Sequence, residues 1–361
     1  MKAKDPLLVL RDEIDAIDND IMQAINQRAR CAQKVGEIKQ QLGDASFYRP
    51  EREAQVLRRV MSSNQGPIND EDMARLFRHI MSACLALEKP LRVAFLGPEG
   101  TFTQEAALKH FGESAISVPK SAIDEVFREV VAGSCEFGVV PVENSTEGVV
   151  SHTLDSFIDS SLHICGEVEL RIHQHFLVGV NTSEAKITRV YSHAQSLAQC
   201  RHWLDANYPT IERVAVSSNA DAARRVKGEW NSAAIAGDMS CQLYGLKKLA
   251  ENIEDRPDNS TRFLVIGQQS VPVSGDDKTS VIVSMRNKPG ALHALLEPFY
   301  KSGVDLTRVE TRPSKDGKWS YVFFIDFVGH RDEPSVENIL NALTDESVNL
   351  KMLGSYPRAV L

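Results

Sequence analysis

The feature that most constrains this chain is a run of apolar residues near its start. Leu10, Ile14, Ile17, Ile21, Ile25, Ala29, Ala32, Val35 and Ile38 recur every three or four positions without a break. The spacing predicts one helix over 7–42, stopped by Gly43, roughly 36 residues and about 54 Å long. Two further helices are predicted over 50–62 and 69–87, and together they are too little chain to cover the apolar stripe of the first. A second copy of the chain supplies the missing cover, so a homodimer or higher homo-oligomer is expected.

This helical segment is its own domain by composition. Residues 1–90 hold 3 of the 21 glycines and 14 basic against 14 acidic side chains, so the net charge of −8 falls on the remaining residues. An acidic chain whose longest Lys/Arg run is two argues against a nucleic-acid surface, though not against a local cationic pocket for an anionic metabolite. No stretch approaches the roughly 18 apolar residues of a membrane span. The apolar core before Arg11 is too short for a secretion signal, and the cytoplasm is the expected location. The six cysteines are scattered, without C-x-x-C or Cys/His clusters, which argues against zinc and redox sites. His173, His175 and His193 lack acidic or Cys neighbours at ligand spacing. Neither a metal nor an organic cofactor is expected. The N-x-S/T matches at Asn144 and Asn259 read as chance or as chemistry rather than glycan sites.

From Leu91 the pattern becomes short apolar runs, turn residues and helical periods, an α/β alternation with mostly parallel strands. VPVSGDDK (271–278) reads as a linker, and the remainder as βαββαβ, the ferredoxin-like order of small regulatory domains. The expected domains are 1–90, 91–270, and 271–361 with the linker included.

In the first domain Arg28 and Lys39 lie about 1100° of helical rotation apart, hence within roughly 20° of one face, on a stripe with Ala32 and Val35. Arg11 falls about 100° off that stripe. A dimer brings Arg11 across from the partner to join Arg28, Lys39, Arg49, Arg52, Glu53 and Glu88; a solvated charged helix is the alternative reading. In the second domain GPEGTFT (97–103), PVENSTEG (141–148), YSHAQSLAQC (191–200), SSNADAA (217–223) and NSTRFLVIG (259–267) are polar loops next to strands and helices. G-x-G-x-x-G is absent, which disfavours a dinucleotide enzyme. Thr103, Ser192 and Asn219 are expected N-caps, either purely structural or at helix ends suited to carboxylates.

LLVLRDEIDAID, QRARCAQKVGEIK, YRPEREAQVLRRV and RLFRHIMSACLALE together resemble the helical chorismate mutase domain of the bifunctional chorismate mutase/prephenate dehydratases. The resemblance implies that Arg28, Lys39 and the partner's Arg11 bind the carboxylates and ether oxygen of chorismate. It places Arg49, Arg52, Cys84 and Glu88 in the same pocket, and gives Glu53 the ring hydroxyl. The reaction is an intramolecular Claisen rearrangement, which needs confinement of a dianion and donors to the ether oxygen. Lys39 is one donor. Arg49, Cys84 and Glu88 depart from a well-known acidic residue, Ser and Gln. An ionised Glu88 repels the ether oxygen and a protonated one donates to it.

The loops of residues 91–268, taken jointly and in order, resemble prephenate dehydratase. That family implies a two-lobed α/β domain like a periplasmic binding protein, with prephenate in the cleft between the lobes. Carried over by position, Glu143 and Asn144 come from the first lobe, Ser192 and Gln199 from the second, and Thr261, Arg262 and Phe263 from the returning strand. Thr261 is the implied acid, Arg262 the carboxylate ligand and Phe263 an apolar wall. Ala194 replaces a frequent Pro. The tail resembles an ACT domain, with Gly290, Ala291 and Leu292, and Glu310, Thr311, Arg312 and Pro313, as implied binders of phenylalanine.

The fold implied is therefore multidomain: an all-α helical mutase arm, a two-lobed α/β periplasmic-binding-protein-like dehydratase domain and an α+β ferredoxin-like ACT domain. The expected partners are chorismate, prephenate and phenylalanine. Two rivals stand beside this reading, a metabolite sensor without turnover and a dehydratase with a degenerate mutase arm.

Overall fold

The computed structural model describes residues 5–43, 48–285, 288–313, 321–346 and 349–360. The expected start of the KWSYVFF strand, at 318–320, lies outside them.

Helix α1 (Pro6–Leu42) opens on the Asp5 carboxylate, which accepts from the Leu7 amide at 3.1 Å, and closes on Gly43 at φ 70°. Both ends follow from the residue types, an Asx cap before Pro and a left-handed glycine after the last turn. α2 (Pro50–Ser63) and α3 (Asp70–Glu88) complete the arm. Only the second half of α1 meets the rest of the chain. Gly36 lets it approach α3 closely, since a Cβ there would stand 3.2 Å from Glu88 Cβ. Every described residue from Asp5 to Ala24 is exposed, including Leu7, Leu10, Ile14, Ile17 and Ile21.

The next domain has two lobes. Its first contains β1 (Arg92–Leu96), α4 (Phe102–Phe111), β2 (Ile116–Lys120), α5 (Ile123–Val131), β3 (Phe137–Asn144), β4 (Gly148–Val149), α6 (Ser151–Asp159) and β5 (His163–Arg171). The chain crosses into a second lobe for β6 (His175–Val178), β7 (Arg189–His193), α7 (Ala194–Gln199), α8 (Arg201–Asn207), β8 (Glu212–Val216), α9 (Asn219–Val226), β9 (Ser232–Ala236), α10 (Asp238–Tyr244) and β10 (Lys247–Ala250). It then returns as β11 (Ser260–Gly267), which inserts between β3 and β5.

The sheet orders are β2-β1-β3-β11-β5, with β4 on β3, and β10-β6-β9-β7-β8. Both sheets are mixed, which corrects the expectation of mostly parallel strands. β11 runs antiparallel to both neighbours, and β6 to β9 and β10, because the strands next to each lobe crossing re-enter their sheet from the opposite direction.

β12 (Asp277–Met285), α11 (Ala291–Ser302), β13 (Leu306–Pro313), β14 (Tyr321–Val328), α12 (Pro334–Glu346) and β15 (Asn349–Pro357) form a sheet of order β13-β14-β12-β15, the ferredoxin-like arrangement. One face, with Val283, Phe323, Ile325 and Phe327, packs on its own helices. The other, with Ile282, Val322, Phe324, Leu353 and Tyr356, shares a core with Val140, Phe157, Ile164 and Leu264 of the first lobe. Burying each large side chain there contributes about 1.5–3 kcal/mol, so the domains are firmly docked. The stretch expected as a linker is docked too. Arg58 of α2 donates to Ser274 O at 3.2 Å and Asp276 O at 2.7 Å, and Asp277 already begins β12.

Candidate functional sites

The arm encloses a cavity of about 660 Å³ between α1, α2 and α3. Arg28, Lys39, Arg49, Arg52, Glu53, Cys84 and Glu88 all line it, and so do Ala32 and Val35 of the helical stripe. Arg11 does not, as its position off that stripe predicts. Lys39 Nζ stands 3.8 Å from Glu88 Oε2, which is buried and has no hydrogen-bond partner among the described residues. Burial raises the Glu88 carboxyl above its ordinary range, and Lys39 and Arg28 offset this only in part. Glu53 accepts from Arg78 Nε at 3.2 Å. It too is raised by burial, against the pull of Arg78 and Tyr48.

Several wall residues went unread in the sequence, Tyr48, Arg59 and Phe111 among them. Tyr48 bonds Glu53 and also, at 3.1 Å, His110 Nε2 of α4. Burial drives His110 down to about 3, so its imidazole is neutral. Arg59 and Phe111 also line the cavity, and Phe111 comes from the lobe below. Arg59 follows Arg52 by seven positions on α2, a helical period that could have found it, whereas Tyr48 precedes the helix and Phe111 lies in another domain, where no local period announces them.

Between the lobes, Asn144 and Thr261 are cross-strand partners at the end of β3 and β11. Backbone amides of Thr146 and Glu147 donate to Asn144 Oδ1, both at 3.0 Å, which turns Nδ2 toward Thr261 Oγ1 at 2.8 Å and Asn259 Oδ1 at 3.0 Å. Thr261 thus accepts from the amide, and no acceptor for its own hydrogen appears among the described residues. Asn259 Nδ2 reaches Gln199 Oε1 at 3.3 Å, tying the strand to the second lobe. Both N-x-S/T asparagines are therefore buried members of this network rather than glycan sites.

Several expected neighbours are elsewhere. Side chains alternate along a strand, so Glu143 and Arg262, each one position from Asn144 and Thr261, face away from the cleft. Arg262 pairs with Glu167 at 2.8 Å and Asp326 at 2.6 Å, and donates to the Tyr356 hydroxyl at 3.0 Å; it is not a free carboxylate ligand. Glu143 lies 3.1 Å from Arg308. Phe263 packs in the first-lobe core with Val93, Phe95 and Phe111, not as a cleft wall. Ser192 is fully buried, bonded to Asn219 Oδ1 at 2.9 Å and Ile235 O at 2.8 Å.

The caps also shift. Thr101, His193 and Ser218 cap α4, α7 and α9, because the capping residue must leave helical φ/ψ, whereas Thr103 and Asn219 already lie inside their helices and Ser192 lies within β7. Across the cleft Glu105 of α4 is pushed up to about 7, mainly by burial and then by Asp238 of the other lobe. His173 and His175 have acidic partners after all, Glu254 at 2.9 Å and Asp238 at 3.3 Å, supplied by distant segments.

In the third domain a cavity of about 370 Å³ is lined by Gly290, Ala291, Leu292 and Thr311, with Met285, Lys288, His293, Tyr321 and Phe323. Gly290 caps α11 at φ 83° without a side-chain cap; the Ala291 amide donates to Lys288 O at 3.1 Å, and the amides that follow it in the first turn face an anion. Glu310, Arg312 and Pro313 do not line it. Glu310 and Arg312 lie on the opposite face of β13 from Thr311, and Arg312 donates to Ser151 Oγ at 2.6 Å and Asp155 Oδ1 at 3.1 Å.

No helix among the described residues is long and apolar enough to cross a membrane. Comparison with known families matches residues 10–89 to chorismate mutase type II, 93–271 to prephenate dehydratase and 279–345 to the ACT domain. Proteins described as bifunctional chorismate mutase/prephenate dehydratase from Stutzerimonas stutzeri and Pseudomonas aeruginosa are 68% and 67% identical, each over 100% of both chains. A solved prephenate dehydratase from Arthrobacter aurescens, in complex with L-Phe, is 34% identical with TM-score 0.69, covering 74% of this chain and 90% of that one. The chain belongs to the bifunctional chorismate mutase/prephenate dehydratase family.

Proposed function

We propose that the chain rearranges chorismate to prephenate in the arm, converts prephenate to phenylpyruvate between the lobes, and is inhibited by phenylalanine held at Gly290–Leu292 and Thr311. The observation that carries this reading is the arm cavity, where seven of the eight residues expected around chorismate converge on one space.

In that cavity Arg28, Arg49 and Arg52 balance the two carboxylates, Glu53 takes the ring hydroxyl, and Lys39 with protonated Glu88 donates to the ether oxygen as its charge grows. Arg11 reaches the cavity from the partner subunit. The exposed Leu7–Ile21 ridge supports a homodimer or higher homo-oligomer, whose seam it supplies.

In the cleft, Thr261 Oγ–H donates to the departing hydroxyl, which leaves as water. The electron pair of the carboxylate carbon bond enters the ring as carbon dioxide departs, and aromatisation drives the step. Asn144, donating to the same oxygen, stabilises charge developing on Oγ. Gln199 and Asn259 hold the second lobe over the site. The proposed domain limits are 1–90, 91–270 and 271–361, supported by the ends of α3 at Glu88 and β11 at Gly267.

The test offers purified protein chorismate in one assay and prephenate in another, with and without phenylalanine. Turnover of both, with phenylalanine suppressing phenylpyruvate formation, is expected. Turnover of prephenate alone overturns the mutase assignment, and turnover of neither overturns both.

A further inference from the structure

The residues that alternation removes from the cleft are gathered at one place. Arg262 and Glu143 are cross-strand partners on β11 and β3, directly beside the pair Thr261 and Asn144. Facing them from the ACT sheet are Arg308 and Asp326, which are cross-strand partners on β13 and β14. Two oppositely charged pairs are thus stacked face to face. Asp326 Oδ2 meets Arg262 Nη1 at 2.6 Å, and Arg308 Nε meets Glu143 Oε2 at 3.1 Å. The same two ACT strands carry Thr311 opposite Phe323, three positions along and on the other face, where both line the effector cavity.

We propose that Arg308 and Asp326 are positioning residues for the dehydratase: they hold Glu143 and Arg262 so that Asn144 and Thr261 stand correctly in the cleft, and they pass the state of the effector cavity to that pair. The proposal rests on the dehydratase reading above.

Adhesion alone does not explain the quartet. The apolar faces of the two domains already share a core, and burying charge is a costly way to add affinity. What charged pairs add is direction, because each is satisfied in one register and not in its neighbours. Asp326 is fixed at its other oxygen by Ser280 Oγ at 2.6 Å, and Ser280 bonds Tyr356, so the acid sits rigidly on the ACT sheet. Arg308 is different: its Nε and Nη2 are buried without hydrogen-bond geometry, despite the short approach to Glu143. One contact of the quartet is tight and the other leaves two buried guanidinium nitrogens unsatisfied. That asymmetry is what a two-state link requires, and the looser contact sits on β13, an edge strand paired on one side only and held to the first lobe further along by Arg312.

The test uses full-length Arg308→Gln, Asp326→Asn, and the charge-swapped double variant Glu143→Arg with Arg308→Glu. Dehydratase kcat and KM, the phenylalanine concentration giving half inhibition, and phenylalanine binding by calorimetry are measured, with mutase turnover reporting an intact fold. Each single variant is expected to lower kcat about tenfold with KM changed little, and to raise the half-inhibition concentration at least about fivefold relative to the calorimetric Kd. The swapped variant recovers kcat. Variants that melt earlier but keep kcat and inhibition overturn the proposal, since that is the behaviour of adhesive contacts. Where a single variant loses mutase turnover as well, Arg308→Lys and the swapped variant, which both keep opposite charges across the contact, decide: dehydratase kcat still about tenfold down in both, with mutase turnover at the parent level, overturns it. If the parent chain itself does not turn over prephenate, the dehydratase reading fails instead.

Discussion

Thr261→Val separates chemistry from stability, because the structure tells what each should lose. Valine keeps the shape and removes the hydroxyl. Asn144 Nδ2 carries two hydrogens and has three acceptors in reach, Thr261 Oγ1 at 2.8 Å, Asn259 Oδ1 at 3.0 Å and Ser260 O at 3.2 Å. Losing one still leaves an acceptor for each hydrogen, so no buried donor is orphaned. The stability cost is about 1 kcal/mol, a net hydrogen bond, and shifts the melting midpoint by roughly 2–4 °C. Loss of a general acid costs about 10²–10⁴ in rate, or ~2.7–5.5 kcal/mol of barrier. Phenylpyruvate formation and thermal melting, measured on the same preparation, should therefore part company: kcat down at least a hundredfold, fold nearly intact. Thr261→Ser should stay within about tenfold of the parent, since it keeps the donor. A valine variant with more than a tenth of the parent kcat would refute the assignment of Thr261 as the acid.

Glu88→Gln tests the other site. With the carboxyl raised by burial, the donor form exists below its pKa and is lost as pH rises through it, so parent mutase kcat/KM should fall tenfold per pH unit above that point. The glutamine variant should give a flat profile, and a profile unchanged from the parent rejects Glu88 as a donor. Arg11→Ala and Lys39→Ala should each abolish most mutase turnover, yet mixed and reassembled they should regain roughly a quarter of it, because half the dimers are mixed and each has one intact site. No recovery on mixing contradicts a site completed by the partner. Gly290→Val forces a β-branched residue to φ 83° at the start of α11 and should weaken phenylalanine inhibition at least about tenfold while prephenate turnover continues; inhibition at the parent concentration excludes this cavity as the effector site.

Much of this architecture was legible because it depends on local periodicity. The limits of α1 were set by an unbroken apolar stripe and a glycine stop, and rotation along that helix set Arg28 and Lys39 together and Arg11 apart, as the cavity lining has them. The βαββαβ order of the tail followed from alternating periods. What was not legible is which way a strand residue points. Thr261-Arg262 and Glu143-Asn144 are adjacent in sequence and were assigned to one site, but a period of two sends them to opposite faces, and only the sheet's place between cleft and ACT domain says what each face meets. Tyr48 and His110 were missed for a related reason. Their contact spans the junction of two domains, and nothing within either segment encodes it.

On this reading one chain holds two independent active sites. Giving Lys39→Ala and Thr261→Val each substrate in turn separates them. The account predicts crossed losses: Lys39→Ala consumes prephenate but not chorismate, whereas Thr261→Val consumes chorismate and accumulates prephenate. Loss of both reactions in either folded variant would contradict it.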